Sequence, residues 1–345
     1  MSASVNELFE QLRKGDRSAL GKAITLVEST RSQDRDSANA LLALCAPFSG
    51  KANRLGVTGI PGVGKSTLID ALGMELIKRG HRIAVLAVDP SSVISGGSIL
   101  GDKTRMEKLA QHDAAFIRPT STAGTLGGVA RRTRQTIALC EAAGYDRIVI
   151  ETVGVGQSEL EVDRMTDLNL LLMITGAGDE LQGIKRGIME AADIVAITKS
   201  VSQEIQRAKN TQRDLVNAIH YLPKRMNGRH PQVLLTDALA NTGIKELTDH
   251  IEELFTLEAN SGTRNAKRSE QNLYWLEKAV EAGLLERFRE NPTAIAAMEH
   301  AKKAVYNGAD PFAVAEEVLA GICCLLYTSD AADERSKVDL GGGRN

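Results

Sequence analysis

Between residues 54 and 257, short and almost uninterrupted apolar runs alternate with stretches of helical periodicity. Runs of Val, Ile and Leu of this length are typical of strands buried on both faces of a parallel sheet, with the intervening helices covering those faces. The runs are 55–58, 83–88, 148–150, 168–175, 194–198 and 233–235. The pattern therefore predicts an α/β fold with a mostly parallel central sheet, which we assign to residues 53–257.

The segments on either side of this region have helical character. Residues 1–52 carry apolar side chains at helical spacing, which predicts an N-terminal helical segment. Residues 258–319 begin with the polar stretch ANSGTRNAKRSEQN, interpreted as a linker or exposed turn, and continue as two long predicted helices, 273–288 and 293–319. Residues 320–345 have no apolar period and end in GGGRN, so we predict a disordered or non-native tail.

Composition and charge exclude several classes of protein. The 42 Lys and Arg residues are balanced by 44 Asp and Glu, a formal net charge of -2, so no overall positive field favours a nucleic-acid backbone. One Trp, five Tyr and six Phe are too few for a base-stacking platform. No apolar run reaches the ~18 residues of a membrane span, and the four cysteines have no disulfide-framework or metal-ribbon spacing. We expect a cytoplasmic protein without a nucleic-acid or membrane partner.

The most specific motif follows the first apolar run. Residues 59–67 are GIPGVGKST, which matches G-x-x-x-x-G-K-[ST], with a predicted strand before it and a predicted helix after it. Backbone N–H groups in such a loop, and the helix N-terminus, point at the phosphates of a nucleotide. Lys65 is expected to reach the β- and γ-phosphates, and the Ser66 hydroxyl to ligate Mg²⁺. The predicted phosphate-binding residues are Gly59, Ile60, Pro61, Gly62, Val63, Gly64, Lys65, Ser66 and Thr67.

Acidic residues near other predicted strands supply further parts of a nucleotide site. Glu151 ends a buried run, so we predict that it holds Mg²⁺ through water, and that the N–H of Gly154 contacts the γ-phosphate. Asp89 directly follows another run, at the strand end where open α/β sheets bind ligands. A glycine-rich segment that contains Asp102 is interpreted as a switch loop. Together with the phosphate loop, these residues predict hydrolysis of a nucleoside triphosphate.

Five motifs in this order resemble a known family. GIPGVGKST, VDPSS, GGSILGDKTRM, ETVGVGQSE and GAGDELQGIKRG are similar to the motifs of the MeaB/ArgK GTPases, the G-protein chaperones of adenosylcobalamin-dependent methylmalonyl-CoA mutase. The resemblance implies a P-loop NTPase fold of the SIMIBI type with an N-terminal helical segment and a C-terminal helical dimerisation arm. It also implies a homodimer that hydrolyses GTP with Mg²⁺, and methylmalonyl-CoA mutase or a related B12-dependent acyl-CoA mutase as partner.

The same resemblance assigns roles to individual residues. Asp89, Asp102 and Glu151 match the acidic positions around Mg²⁺ and the attacking water, and Lys65 and Ser66 match the phosphate-loop roles. The predicted catalytic residues are thus Lys65, Asp89, Asp102 and Glu151, and the predicted metal ligands are Ser66, Asp89, Asp102 and Glu151. Residues 176–185 match a third switch that communicates with the mutase in that family.

The base-reading motifs differ from the usual guanine-specific pattern. Guanine-specific proteins use N-K-x-D, but residues 198–201 are TKSV, and Val201 cannot accept a hydrogen bond. A buried donor left unpaired costs about 1–3 kcal/mol. The later motif, usually S-A-x, begins here with Asp237, and we hypothesise that its carboxylate replaces the one that is absent at position 201. The candidate base contacts are Lys199, Val201, Asp237, Ala238 and Leu239.

Other functions stay open on the residues alone. A nickel-delivery GTPase uses similar motifs, although it needs soft or imidazole ligands and the six histidines are scattered along the chain. A small-molecule kinase or transport ATPase that uses ATP fits the altered base motif, and product analysis would separate it from a GTPase. A non-hydrolysing binding module is the third alternative. The apolar stripe of the C-terminal helices also fits packing within the chain instead of dimerisation.

Overall fold

The computed structural model describes residues 2–29, 31–88, 106–120, 126–152, 158–175, 186–200 and 204–321. The chain divides into two compact units, Met1–Trp275 and a second that begins at Leu276 and is described to residue 321. The first unit begins with three helices, which confirms the predicted helical character of this segment: α1 (Ser2–Arg13), α2 (Arg17–Glu28) and α3 (Ser32–Cys45).

The alternating region contains seven strands within the described residues: β1 (Asn53–Gly59), β2 (Ile83–Val88), β3 (Ala115–Thr120), β4 (Arg147–Thr152), β5 (Leu168–Ile174), β6 (Ile194–Thr198) and β7 (Gln232–Leu235). The helices of this region are α4 (Lys65–Lys78), α5 (Glu107–Ala110), α6 (Leu126–Ala142), α7 (Ser158–Asp163), α8 (Arg186–Ala191), α9 (Ile205–Ile219) and α10 (Ile244–Ser261). Helix α11 (Thr263–Glu290) crosses the boundary between the units, and α12 (Pro292–Tyr306) follows it.

The strands form one sheet in the order β3-β2-β4-β1-β5-β6-β7, and all described pairings are parallel. All six predicted runs are strands of this sheet, so the predicted α/β fold is confirmed. Strand β3 was not predicted. Its sequence, AFIRPT, is interrupted by Arg118 and Pro119, and such a strand is tolerated because β3 lies at the edge and pairs only with β2.

The two faces of the sheet are buried by different helices. Ala84 and Leu86 of β2 belong to a core shared with α1, α2, α3 and α6, so the N-terminal helices are part of the main fold. Ile83 and Val85, which alternate with them, belong to the opposite core with α4 and α10. Helices α8 and α9 cover β5, β6 and β7 through a third cluster. This double burial explains why the strands are almost continuous apolar runs.

An aspartate directly precedes each of three strands. The carboxylates of Asp146, Asp167 and Asp193 accept hydrogen bonds from the backbone N–H groups of Arg82 (2.8 Å), Arg54 (2.9 Å) and Asn169 (2.9 Å), respectively. Each bond satisfies a backbone donor near the amino end of a strand. We call the side of the sheet where the parallel strands begin its amino edge and the side where they end its carboxyl edge. Side-chain carboxylates therefore line the amino edge.

The C-terminal helices differ from their predictions. The predicted linker at the start of residues 258–319 is wrong: α10 ends at a left-handed Gly262 (φ 79°), and α11 begins at the next residue. The single helix predicted over 293–319 is also wrong, because α12 ends at Tyr306 before the left-handed Gly308 (φ 94°), and a separate helical stretch covers 311–321. The rest of the predicted tail lies outside the described residues. Within those residues, we find no helix whose length and apolar character would suit a bilayer crossing.

Candidate nucleotide-binding site

The glycine-rich loop lies at the carboxyl end of the central strand. Strand β1 ends at Gly59 between β4 and β5, and α4 begins at Lys65. A Cβ on Gly59 would lie 2.7 Å from the carbonyl oxygen of Leu172, so only glycine fits there. Gly64 has φ 101° and directly precedes α4. The turn can thus bring the strand end and the helix N-terminus together, which is the geometry of an anion site.

The side chain of Lys65 lies against this loop. Its Nζ donates hydrogen bonds to the carbonyl oxygens of Gly59 (2.7 Å) and Ile60 (3.2 Å), and the residue is only 8% exposed. The 14-residue helix α4 adds the positive end of its dipole to the ammonium charge. A cationic, largely desolvated pocket of this kind favours a polyanion such as a nucleotide tail.

Ser66 and Glu151 are in direct contact although they are far apart in the chain. Glu151 lies near the end of β4, in register with Val57 of β1. The Ser66 hydroxyl donates a hydrogen bond to Oε1 of Glu151 at 3.0 Å, and both residues are buried. A hydroxyl and a carboxylate are the hard oxygen donors that Mg²⁺ prefers, so the pair fits the predicted metal. The other predicted ligands, Asp89 and Asp102, lie outside the described residues.

Residues at the end of β6 form hydrogen bonds with the other side of the phosphate loop. The Thr198 hydroxyl donates to the carbonyl oxygen of Val63 at 2.7 Å, and Lys199 Nζ donates to that of Gly62 at 3.0 Å. Lys199 has φ 57°, a strained backbone for a non-glycine residue and one that concentrates at functional sites. The sequence had indicated Lys199 as a base contact but did not predict the role of Thr198. A threonine at a strand end directly before lysine was the available signal.

The candidate base-reading loop starts at the end of β7. Asp237 exchanges two backbone hydrogen bonds with Thr242 at 2.9 Å, and its Oδ1 accepts the N–H of Ala240 at 2.8 Å. The loop is joined to β6 because the hydroxyl of Ser200 donates to the carbonyl oxygen of Thr236 at 3.0 Å. One carboxylate oxygen of Asp237 is therefore occupied within the loop itself.

The structure thus brings some of the predicted site residues together, and other predicted site residues lie outside the part of the chain that it describes. Lys65, Ser66 and Glu151 meet at the carboxyl edge of the sheet, and Lys199 touches the same loop. Ala238 is half-buried and Leu239 is 89% exposed in the loop that follows β7. Gly154, Val201 and the third switch, 176–185, lie outside the described residues, together with the two remaining acids. The roles of all these residues stay predictions.

Comparison with known proteins gives consistent matches along the chain. A family model described as methylmalonyl Co-A mutase-associated GTPase MeaB matches residues 20–293. The probable GTPase Rv1496 of Mycobacterium tuberculosis is 51% identical over 290 residues, covering 84% of this chain and 86% of that protein. The mitochondrial methylmalonic aciduria type A homolog of Mus musculus is 44% identical over 315 residues, 88% of this chain and 76% of that protein.

A solved structure supports the fold independently. The crystal structure of an LAO/AO transport system kinase matches with a TM-score of 0.72 at 36% sequence identity, and the match covers 93% of this chain and 98% of that one. The similarity therefore extends beyond the sheet to nearly the whole chain.

Proposed function

Since this chain belongs to the MeaB family of methylmalonyl-CoA mutase-associated GTPases, we propose that it acts as an assembly, loading or protection factor for an adenosylcobalamin-dependent acyl-CoA mutase. The chain is a GTPase. Methylmalonyl-CoA mutase is the first candidate partner, because the family model carries its name and the mouse relative is named for methylmalonic aciduria. The observation that carries the Mg²⁺-dependent hydrolysis in this proposal is the contact of Ser66 with Glu151 beside the lysine of the phosphate loop, whereas the partner is supported by the family match.

In the proposed reaction, the loop and α4 bind the triphosphate of GTP through backbone N–H groups, and Lys65 adds a positive charge at the transferred phosphoryl group. Ser66 and Glu151, with Asp89 and Asp102, would hold Mg²⁺. The bound ion would neutralise charge that develops on the phosphates. Catalysis by this set is mostly positioning and charge stabilisation, which fits a slow intrinsic rate that a partner raises.

Coupling to the mutase would use segments that continue from the strand ends. Gly154 follows β4 in sequence, and residues 176–185 follow β5. Contacts with the γ-phosphate would order such segments, and hydrolysis would release them. In the proposal, the partner therefore distinguishes the GTP-bound from the GDP-bound protein.

The proposed homodimer would use the C-terminal helices. Within the second unit, Leu276, Val280 and Leu284 follow one another at helical spacing and are 53–61% exposed. An exposed apolar stripe of this kind supports a protein–protein contact. Light scattering on the purified chain tests it: a mass of one chain would contradict the dimer.

A pull-down with purified methylmalonyl-CoA mutase tests the partner. We expect the mutase to be retained by the wild-type chain, with retention that differs between a non-hydrolysable GTP analogue and GDP. The matched control is Lys65→Ala, which should lose the difference between the two nucleotides. If no mutase is retained with either nucleotide, the proposed partner is contradicted, but the assignment of GTP hydrolysis is not.

A second candidate function follows from the similarity to the LAO/AO transport system kinase. A kinase transfers the phosphoryl group to an acceptor, whereas a GTPase gives only GDP and phosphate. Release of stoichiometric inorganic phosphate, unchanged by added small-molecule acceptors, supports the first proposal. Appearance of a phosphorylated acceptor supports the second.

A further inference from the structure

A cleft opens at the edge of the sheet opposite the phosphate loop. It contains about 480 Å³ of empty space, its mouth included, and is lined by Asp167 and Asp193, which directly precede β5 and β6, and by Glu258 near the end of α10. Strands of five to seven residues at ~3.3 Å per residue place the two edges roughly 15–20 Å apart. The cleft is therefore separate from the nucleotide site.

Three acids around this cleft already have cationic partners. Arg225 Nε lies 2.8 Å from Asp193 Oδ1, and Lys267 Nζ lies 3.0 Å from Asp163 Oδ1. Asp167 is bound by Arg268 through two 2.7 Å contacts. Burial of a charge is tolerated when the charge is paired, so the cationic partners explain why these three carboxylates can lie around the cleft.

Glu258 is the exception. Its residue is 4% exposed, and its Oε1 accepts one long hydrogen bond, 3.3 Å, from the amide of Asn227. Its Oε2 is buried and accepts no hydrogen bond from the described residues. A buried acceptor without a donor is costly and is rare in native structures. Glu258, which lines the cleft, thus has a buried carboxylate oxygen that lacks a donor among the described residues.

We propose that the cleft binds a small organic cation whose primary ammonium group donates hydrogen bonds to the Glu258 carboxylate. A divalent metal ion would seek several oxygen ligands, but the neighbouring carboxylates of Asp163 and Asp193 are held by Arg225 and Lys267. An ammonium group needs only a few acceptors and supplies the absent donor.

The rest of the lining suits a short alkyl chain on that ammonium. Met226 lines the cleft and is 54% exposed, so its side chain offers apolar contact. Glu270 also lines the cleft and is exposed, and it adds negative charge that attracts a cation. The predicted ligand class is therefore a small primary alkylamine in its charged form.

Binding of such a cation should depend on pH. Burial raises the pKa of Glu258 to about 7, with Asp193 and Asp167 raising it further and Lys267 and the Asn227 amide opposing the shift. The ammonium group pairs with the ionised carboxylate, which is the minor form at pH 6 and the major form at pH 8. The affinity should therefore rise roughly tenfold between these pH values.

Isothermal titration of the full chain with n-propylammonium chloride tests the proposal, at pH 6 and pH 8 and at constant ionic strength set with KCl. We expect saturable heat that is stronger at pH 8. Tetramethylammonium has the same charge but no N–H donor, and it should bind at least about tenfold more weakly. Absence of saturable heat at pH 8, or equal affinity for the two cations, overturns the proposal.

Two variants locate the binding and one checks the fold. Glu258→Gln should weaken n-propylammonium binding at least about tenfold, whereas Glu270→Gln, at the exposed part of the lining, should keep it within about twofold. If Glu258→Gln is poorly folded, Glu258→Asp provides the test instead. This variant keeps the negative charge and should bind n-propylammonium with an affinity between those expected for Glu258→Gln and Glu270→Gln. GTP hydrolysis should be unchanged in all three, because the cleft lies at the other edge of the sheet. Unchanged affinity in Glu258→Gln contradicts the proposed site.

Discussion

The two edges of the same parallel sheet use charged residues in different ways. At the amino edge, arginines pair with carboxylates in fixed geometry, as in Arg54–Glu141 and Arg268–Asp167. At the carboxyl edge, Lys65 and Lys199 donate to carbonyl oxygens of a glycine-rich loop. A paired carboxylate cannot be exchanged without loss of stability, whereas phosphate oxygens can replace carbonyl oxygens as acceptors. The comparison indicates that the amino edge maintains the fold and the carboxyl edge serves the ligand.

Removal of one buried charge at the amino edge should have the largest effect. Arg54 and Glu141 have side chains that are only 1% exposed, and Oε1 of Glu141 accepts from Nε and from a terminal nitrogen of Arg54 at 3.1 and 2.9 Å. In Glu141→Gln the guanidinium stays buried without its counter-charge, so we expect a loss of about 3–5 kcal/mol in the free energy of unfolding. Denaturant titration measures this loss.

The environment of that pair strengthens the expectation. Burial lowers the pKa of Arg134 to about 10, and the nearby charge of Arg54 lowers it further while Glu141 opposes the shift. Without the negative charge of Glu141, the positive charges of Arg54 and Arg134 would repel each other with less compensating charge nearby. The matched control is Glu75→Gln on α4, whose partly exposed pairs with Lys78 and Arg79 should contribute at most about 1 kcal/mol. Equal losses for the two variants would contradict the structural role of the amino edge.

The opposite edge should respond in activity and not in stability. We expect Lys65→Ala to lower the rate of GTP hydrolysis about 10²–10³-fold, since a preorganised positive charge at the reacting phosphates is removed. The free energy of unfolding should change by no more than about 1 kcal/mol, because the two loop carbonyls that Lys65 contacts can bind water instead. Single-turnover hydrolysis and denaturant titration measure the two effects.

A second lysine of the same helix gives the control for that variant. Lys78 is 66% exposed and forms an ion pair with Glu75 at 3.5 Å. Lys78→Ala should keep both the rate and the stability. A large loss of stability in Lys65→Ala, with hydrolysis per folded molecule preserved, would reverse the comparison between the two edges.

The unusual carboxylate at the amino edge should make stability depend on pH. The pKa of Glu258 is raised by burial, and further by Asp193 and Asp167, from 4.5 to about 7, while Lys267 and the amide of Asn227 lower it. The folded state therefore keeps a proton that the unfolded state loses between these values. The stabilisation is complete below pH 4.5, declines as the pH rises towards 7, and is absent above it.

This titration has a defined size and a direct test. A shift of one pKa unit corresponds to about 1.4 kcal/mol, so we expect the free energy of unfolding to fall by about 2–3 kcal/mol between pH 4.5 and 8. In Glu258→Gln that fall should be absent, so the difference in free energy of unfolding between wild type and variant should itself change by about 2–3 kcal/mol over this range. Denaturant titrations at several pH values measure it, and parallel profiles for the two proteins would show that Glu258 does not titrate in this range.

Much of the fold and part of the site could be predicted from the sequence because both depend on local patterns. Buried strands of a parallel sheet are continuous apolar runs, and the phosphate loop is a contiguous motif with a strand and a helix at its ends. Strand β3 was not recognised because an edge strand tolerates Arg118 and Pro119. The predicted linker was wrong because polar residues also form exposed helix, and a single left-handed Gly262 suffices for the turn.

The cleft could not be predicted from local patterns. Its charges come from separate segments, and only the sheet places Asp167 and Asp193 side by side and brings Glu258 of α10 against them. The sequence did contain one unused signal, an aspartate directly before each of three strands. Such residues cap neighbouring strands through backbone N–H groups, so a repeated acid before apolar runs indicates the amino edge of a parallel sheet.

The smallest predicted effect concerns the base. We expect Asp237→Ala to lower the preference for GTP over ATP about tenfold, because two guanine donors would lose an acceptor worth about 1–3 kcal/mol. The contact with the Ala240 N–H complicates this variant, since alanine would also loosen the loop. Asp237→Asn separates the two roles: its amide oxygen can still accept from Ala240, but the second carboxylate oxygen becomes a donor that repels guanine N–H groups. If Asp237 recognises guanine, both variants lose the preference, measured by competition between the two nucleotides. If Asp237→Asn keeps the preference, the residue only shapes the loop, and base selection at the carboxyl edge depends on other groups.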